Sequence, residues 1–500
     1  VWFWAFCRNE KEEPVVFKPA DPILKMSLTP SQKALWKYVL VVVCLFMLQL
    51  MCGGLVAHYT VEGQSFYGIP LGEWIPYSVV RTWHLQLAMF WIAVAFLTMG
   101  LFLAPLMNGG KDPKGQKLGV NILFVALVVL VLGALGGSYL AIYHILPEQW
   151  SFYLGHQGYE YLDLGRIWQA IEYIGILFWL LLMLRSAVQA LRQPGDKHLT
   201  IAFIFSVVMV GLFYGPGLLY GEHTNLAIME YWRWWVVHLW VEGFFEVFST
   251  AVMAYIFVTL GLISRRTGTV SAIMAGAIYL IGGIPGTFHH LYYTGVTTGV
   301  IATGAVFSAL EVAPLAIIGY EAYEHYRLQY ATPWMHRLKW PIMCFVAVAF
   351  WNMIGAGVLG YLVNTPLALY YVQGLNMTPT HAHAALFGVY GFLSLGFVFF
   401  VMRYIRPDVP FNDRLMKVGF WCLNFGLALM LVLSLIPVGI LQSIASIQYG
   451  LWFARSESFM QEPLLQVLRW MRMLGDTIFI IGAACFFAQV VMMIKGKSKD

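Results

Sequence analysis

The sequence predicts an all-α protein, a polytopic membrane bundle of about twelve transmembrane helices, and three observations carry that prediction. Of the 500 residues, 60% are hydrophobic and 11% charged, whereas about a quarter of a soluble globular chain is charged. Twelve separate apolar runs reach the ~20 residues that a helix needs to cross the hydrocarbon layer. Lipid offers no partner to irregular backbone, so each run must close its hydrogen bonds internally.

The runs lie near residues 36–58, 78–105, 118–143, 168–190, 199–221, 232–262, 270–288, 298–325, 340–362, 378–403, 415–438 and 467–493. Together, residues 36–493 form one membrane domain, with an N-terminal segment (1–35) and a basic tail (494–500) at one face. Lysine and arginine set the orientation. With the N-terminus inside and the helices alternating, only Arg81, Arg166, Arg233, Arg455, Arg469 and Arg472 of the 30 basic residues fall outside. Both termini are therefore expected on the cytoplasmic side of the membrane. The net charge of +5 follows from the same bias and gives no reason to expect a nucleic-acid partner. Val1–Cys7 is apolar and then turns charged at Arg8, which reads as the end of a further membrane helix. The six cysteines lie in or beside apolar runs without C-x-x-C spacing, so neither a zinc site nor a covalent c-type haem is encoded.

Ionisable groups are costly in lipid, so each one inside a run is a candidate functional residue. The first run carries only His58, at its outer end, where an interfacial role is expected. The second opens Arg81-Thr-Trp-His84, with Arg81 one turn outside His84 and able to reach an anionic group. After the third run, Glu160 and Asp163 stand three apart in an outer loop, as part of a calcium shell would. The fifth and ninth runs read as structural. The sixth carries His238, Glu242 and Glu246 at four-residue spacing, a polar stripe on one helix face that can reach one metal. The seventh ends at His289-His290, just after Pro285 and Gly286, which loosen the helix and let adjacent imidazoles converge. The eighth holds Glu311. The tenth holds His381-Ala-His383, two histidines pointing about 200° apart on an α-helix, each able to serve a different planar cofactor. The twelfth has Asp476 near Arg469 and Arg472.

The alternation of the helices puts His84, His238, His289, His290, His381 and His383 at one depth, about 10 Å below the outer surface. Six imidazoles at one level imply metals, and imidazole suits iron, copper and zinc, including haem iron. One tenth-run histidine can pair with His84 across a six-coordinate haem. The other can hold a second haem from one side, facing a non-haem metal on His238, His289, His290 and Glu242. A carboxylate in that set favours iron over copper.

These stretches resemble the haem–copper oxidase superfamily, and within it the catalytic subunit of bacterial nitric oxide reductase. The resemblance extends over nearly the whole chain and rests on Arg81-Thr-Trp-His84, His238-Leu-Trp-Val-Glu242, His289-His290, Glu311 and His381-Ala-His383. Oxygen-reducing members usually carry a tyrosine where Glu242 stands. The resemblance implies that His84 and His383 bind low-spin haem b, that His381 binds high-spin haem b3, and that His238, His289, His290 and Glu242 bind a non-haem iron. It implies calcium at Glu160 and a proton-handling or structural role for Glu311. Nitric oxide is the implied substrate, two molecules giving nitrous oxide and water. Glu242, Glu246 and Glu311 are the natural proton relay across apolar protein.

The loops 54–71 and 155–166 look most like the quinol-dependent branch, so quinol is the expected donor, with Glu73, Arg472 and Asp476 as candidate contacts. A c-type cytochrome subunit is the alternative donor, and a homodimer stands open. Three rival readings remain. An oxygen reductase would contain copper, and a nitric oxide dismutase-like enzyme would have altered metal ligands. A membrane transporter would show no haem spectrum.

Overall fold

The computed structural model describes residues 18–158, 164–193, 195–308, 323, 326, 327 and 332–496. Among these the chain is helical throughout; pairing outside helices is confined to two isolated bridges, Phe66 with Ile69 and His156 with Leu164. Eleven helices are long and apolar enough to cross a membrane: α1 (Pro30–Glu62), α2 (Tyr77–Met107), α3 (Gln116–Ile142), α4 (Arg166–Ala190), α5 (His198–Leu218), α6 (Leu226–Leu260), α7 (Arg265–His290), α9 (Pro333–Asn364), α10 (Met377–Ile405), α11 (Asp413–Tyr449) and α12 (Pro463–Lys495). Between them α8 (Thr298–Ser308) opens the predicted eighth span. Most of the rest of that span, with Glu311, lies outside the described residues, as do Glu160 and Asp163.

Burial separates the helices into two populations. The most apolar windows of α2, α6 and α10 are 78%, 83% and 83% buried, while those of the other spans are 33–50% buried. The three central helices carry His84, His238, His381 and His383, so the costly residues lie where protein replaces lipid on every side. Phe96 of α2 ties the centre together, edge-on to Phe245 of α6 and Phe397 of α10. Around this core, α1 packs on α2, α9 on α10, and α11 on α12.

Two departures from the sequence reading have physical causes. The span predicted to end at residue 438 continues to Tyr449 despite Pro437. A proline removes a helical N–H and clashes with the preceding turn; the helix accommodates it by widening into a π-helical stretch at Leu431–Leu435 just before it. The same widening occurs at Trp235–Phe244 in α6, Tyr279–Gly283 in α7, Asn352–Leu359 in α9 and His383–Gly391 in α10. Such turns make up well under 1% of residues in globular proteins and gather at functional sites. Hydrophobic periodicity gives no sign of them.

The basic segments assigned to one side do meet. Ser31 binds Asp112, Trp334 Nε1 donates to the Lys18 carbonyl, Tyr404 binds Asp21, and Lys339 binds Asp413. At the opposite face, the Tyr143 hydroxyl donates to the Glu73 carbonyl, and Arg469 bonds to the Thr60 carbonyl.

Candidate metal and cofactor site

Two adjoining cavities occupy the centre of the bundle. The larger, about 780 Å³, is lined by Glu242, Glu246, His289, His290 and His381 among others. The smaller, about 140 Å³, lies between His84 and His383. Ala382 and Leu386 line both, so the tenth helix forms the partition and its two histidines face opposite ways, as the i,i+2 spacing requires.

In the smaller cavity the His84 and His383 rings lie with centroids 6.5 Å apart and planes 27° from parallel. Metal–nitrogen bonds of about 2.0 Å on both sides, with each ring centre roughly 1.2 Å beyond its nitrogen, would separate the centroids by about 6.4 Å. The observed gap of 6.5 Å matches that spacing. Each ring is aimed by a backbone carbonyl: His84 Nδ1 pairs with Gln49 O at 3.0 Å, His383 Nδ1 with Pro379 O at 2.7 Å, and His381 Nδ1 with Gly355 O at 2.9 Å. A carbonyl can only accept, so each Nδ1 carries the proton and each Nε2 keeps a lone pair for a metal. Arg472 stands across the approach to His383, its Nη2 3.3 Å from Nε2. Holding a haem here requires that guanidinium to swing aside on its ion pair with Asp476, 3.0 Å away.

Three more histidines cluster at the wall of the larger cavity. Ligand atoms of His238, His289 and His290 lie within 4.8 Å of one another. His290 Nε2 is 3.3 Å from His238 Nδ1, and Glu242 Oε2 is 2.8 Å from the same Nδ1. Two nitrogens sharing a tetrahedral metal at about 2.0–2.1 Å lie roughly 3.3 Å apart, so the His238–His290 spacing suits a shared metal once the Nδ1 proton, which Glu242 accepts here, is released. The local chain explains the convergence. The short 3₁₀ turn Thr287–His290 follows Pro285 and brings adjacent rings to 3.9 Å. The His290 ring then lies flat on the Trp234 indole, 3.9 Å away and 4° from parallel. Both His289 ring nitrogens are buried without a well-formed hydrogen bond, although the Asn364 side chain stands beside them. Leaving an imidazole so placed is costly unless something coordinates it.

Of the remaining sequence candidates, Arg81 sits one turn from His84 on α2, and Glu246 is buried at the cavity wall. Arg472 and Asp476 line the smaller cavity. Glu73 does not; it lies in the short outer helix Leu71–Trp74. His58 is also apart from the cluster, bonding within its own outer turn to Ser65 O and Glu62.

Several residues escaped the sequence reading. Glu230 and Arg233, an ion pair 3.4 Å apart, line the larger cavity together with Arg455. Glu172, in an apolar helix, receives a 2.8 Å hydrogen bond from Tyr214. All four are ionisable, and the rule that found the other candidates would have found Glu172. The ninth span is more than structural, since Asn352 and Asn364 line the cavity and Gly355 holds His381. Nothing in the composition of that span marks it.

A bundle with two histidines paired across one cavity, a third behind the same helix and three more clustered at the wall of the next cavity has the donor set of a haem–copper type of redox protein. The chain belongs to the family described as Cytochrome C and Quinol oxidase polypeptide I, whose model matches residues 33–478. It is 26% identical over 486 residues to a nitric oxide reductase polypeptide of Stutzerimonas stutzeri, covering 93% of this chain and 95% of that one. A haem–copper terminal oxidase dimer solved by cryo-electron microscopy shares the fold, with TM-score 0.66 and 13% identity across 95% of this chain and 86% of that one. The protein is thus a membrane oxidoreductase of the haem–copper family, and haem cofactors follow from that membership.

Proposed function

We propose that this chain is the catalytic subunit of a nitric oxide reductase, coupling two nitric oxide molecules, two electrons and two protons into nitrous oxide and water. The observation that carries the reading is Glu242, whose carboxylate closes on His238 at 2.8 Å inside the three-histidine cluster. A hard oxygen ligand among imidazoles selects iron over copper. The relative in Stutzerimonas stutzeri supports the same substrate.

In this reading His84 and His383 hold low-spin haem b, and His381 holds high-spin haem b3. His238, His289, His290 and Glu242 hold the non-haem iron, with calcium at Glu160. If bound there, the haem and the non-haem iron would supply electrons and sites for nitric oxide. The chain's own residues do the rest. Apolar walls such as Val237, Val241 and Val389 admit a small neutral gas and exclude ions. The cavity confines two molecules, replacing a bimolecular encounter with a positioned one. The helix that separates the cavities carries His381 into one and His383 into the other, so the groups they would hold stand on either side of a single helix. Glu246, at the cavity wall, and Glu311 pass protons toward Glu242.

Quinol is the donor in this proposal, bound near Arg472 and Asp476 with Glu73 at the outer face. Both termini face the cytoplasm of a bacterial inner membrane. The test is metal and product analysis of the purified protein. Two b haems and one further iron per chain, no copper, and one nitrous oxide formed per two nitric oxide consumed with quinol as reductant are expected. Copper at the third site, or dioxygen as the preferred acceptor, would overturn the assignment.

A further inference from the structure

We propose that a cavity at the basic face, remote from the redox centre, is a binding site for the phosphate of an anionic phospholipid. The cavity has a volume of about 430 Å³ and lies where the segment preceding α1 crosses the ends of α5, α6 and α7. Lys18, Lys25 and Arg265 line it, and among the described residues no carboxylate does. Leu199 and Val258 give it an apolar wall, and Tyr255 stands within electrostatic reach of Arg265. A cationic mouth on an apolar wall is the complement of a headgroup phosphate with its acyl chain.

The segment that carries the two lysines is held in place. Trp334 Nε1 fixes the Lys18 carbonyl at 2.9 Å. Asp21, between the two lysines, is 4% exposed and accepts hydrogen bonds from the Tyr404 hydroxyl and the Ile23 amide, with Arg337 at 3.8 Å. That anchoring keeps the segment in register and directs its acidic group away from the cavity. Arg265 donates to the Asp196 backbone carbonyl at 3.1 Å, while the Asp196 carboxylate is engaged by His198. Hydrogen bonding to His198 also holds the Asp196 carboxyl below its usual range, so it stays ionised without closing the cavity. Among the described residues, Asp21 and Asp196 keep their carboxylates off the cavity lining, so the charged side chains that line it are all cationic. In the proposed orientation this face meets the cytoplasmic leaflet, where anionic lipids concentrate and basic pockets between helices take up their headgroups.

Each lysine or arginine near such a surface contributes about a five-fold affinity gain for an anionic lipid. The experiment is thermal unfolding of the detergent-solubilised full chain, titrated with phosphatidylglycerol, with phosphatidylcholine and, separately, with inorganic phosphate. Phosphatidylglycerol should raise the melting temperature saturably, with little effect from the other two. Lys25→Gln should weaken the half-saturation about five-fold, Lys25→Gln with Arg265→Gln about 25-fold, and Lys25→Arg should restore it. Equal protection by phosphatidylcholine, or an unchanged half-saturation in the double variant, would overturn the proposal. Equal protection by inorganic phosphate would overturn the lipid as the source. Should the double variant fail to fold, native mass spectrometry of the wild type decides: retained phosphatidylglycerol that excess phosphatidylcholine cannot displace supports the site, and ready exchange refutes it.

Discussion

Gly53 and Gly54 are neighbours in α1, and replacing each with alanine should separate haem-site geometry from helix stability. A Cβ on Gly53 would lie 2.7 Å from His84 Cε1 and 3.0 Å from Nδ1, while one on Gly54 would meet nothing within 4 Å. Carbon contacts relax at about 3.5–4.0 Å, so Gly53→Ala must drive the His84 ring back by about 1 Å. That motion strains the 3.0 Å bond from Nδ1 to Gln49 O. Overpacking of this kind costs about 1–3 kcal/mol and the lost hydrogen bond about 1 kcal/mol more. Both substitutions gain about 1 kcal/mol in helix propensity. Gly53→Ala should thus be about 2–4 kcal/mol less stable than Gly54→Ala by denaturant titration. The optical spectrum is the more specific readout. A 1 Å withdrawal is half a metal–ligand bond, so Gly53→Ala should lose the low-spin, six-coordinate signature in part or whole. Gly54→Ala should keep it. A wild-type low-spin spectrum and haem content in Gly53→Ala would refute His84 as an axial ligand in the geometry described.

Other consequences are checked by the same preparations. Glu242→Ala should lower affinity for the third iron by at least the ~10–100-fold typical of losing an outer partner, read by metal analysis with both haems retained. Tyr390→Phe removes the 2.8 Å hydrogen bond to the Glu242 backbone carbonyl, worth about 1 kcal/mol; iron should stay bound while nitric oxide turnover falls. Glu311→Gln should slow turnover and alter its pH profile, and an unchanged profile would remove Glu311 from the relay. Arg472→Gln breaks the ion pair with Asp476 and should raise the KM for quinol more than it lowers kcat; an unchanged KM would place the quinol elsewhere.

The legible parts of this protein were those with a strong energetic signature. Membrane spans announce themselves by uninterrupted apolar length, and the costly residues His84, His238, Glu242, His289, His290, His381 and His383 announce themselves against that background. The structure draws all of these to two adjoining cavities. Partners supplied by the backbone were illegible, because every residue has a carbonyl and only the fold selects which one aims a ring. Gln49, Gly355 and Pro379 serve His84, His381 and His383 in this way. The π-helical stretches were equally hidden, since one extra residue in a turn barely changes hydrophobic periodicity. Glu73, expected as a quinol contact, lies in a short outer helix and does not line the smaller cavity that Arg472 and Asp476 line.

The carbonyls that aim His381 and His383 have different origins, and this bears on how the two cavities are coupled. His383 is held by Pro379 of its own helix, so its orientation travels with α10. His381 is held by Gly355 of α9, so its orientation depends on how closely the two helices approach. That approach is set by glycine: a Cβ on Gly355 would come within 2.6 Å of the Ala384 backbone. Both helices are widened at this contact, α9 over Asn352–Leu359 and α10 over His383–Gly391. A displacement of α9 would therefore turn the His381 ring while leaving His383 in place. The ring facing the larger cavity can be tuned independently of the ring that faces His84, although the two are separated by one alanine.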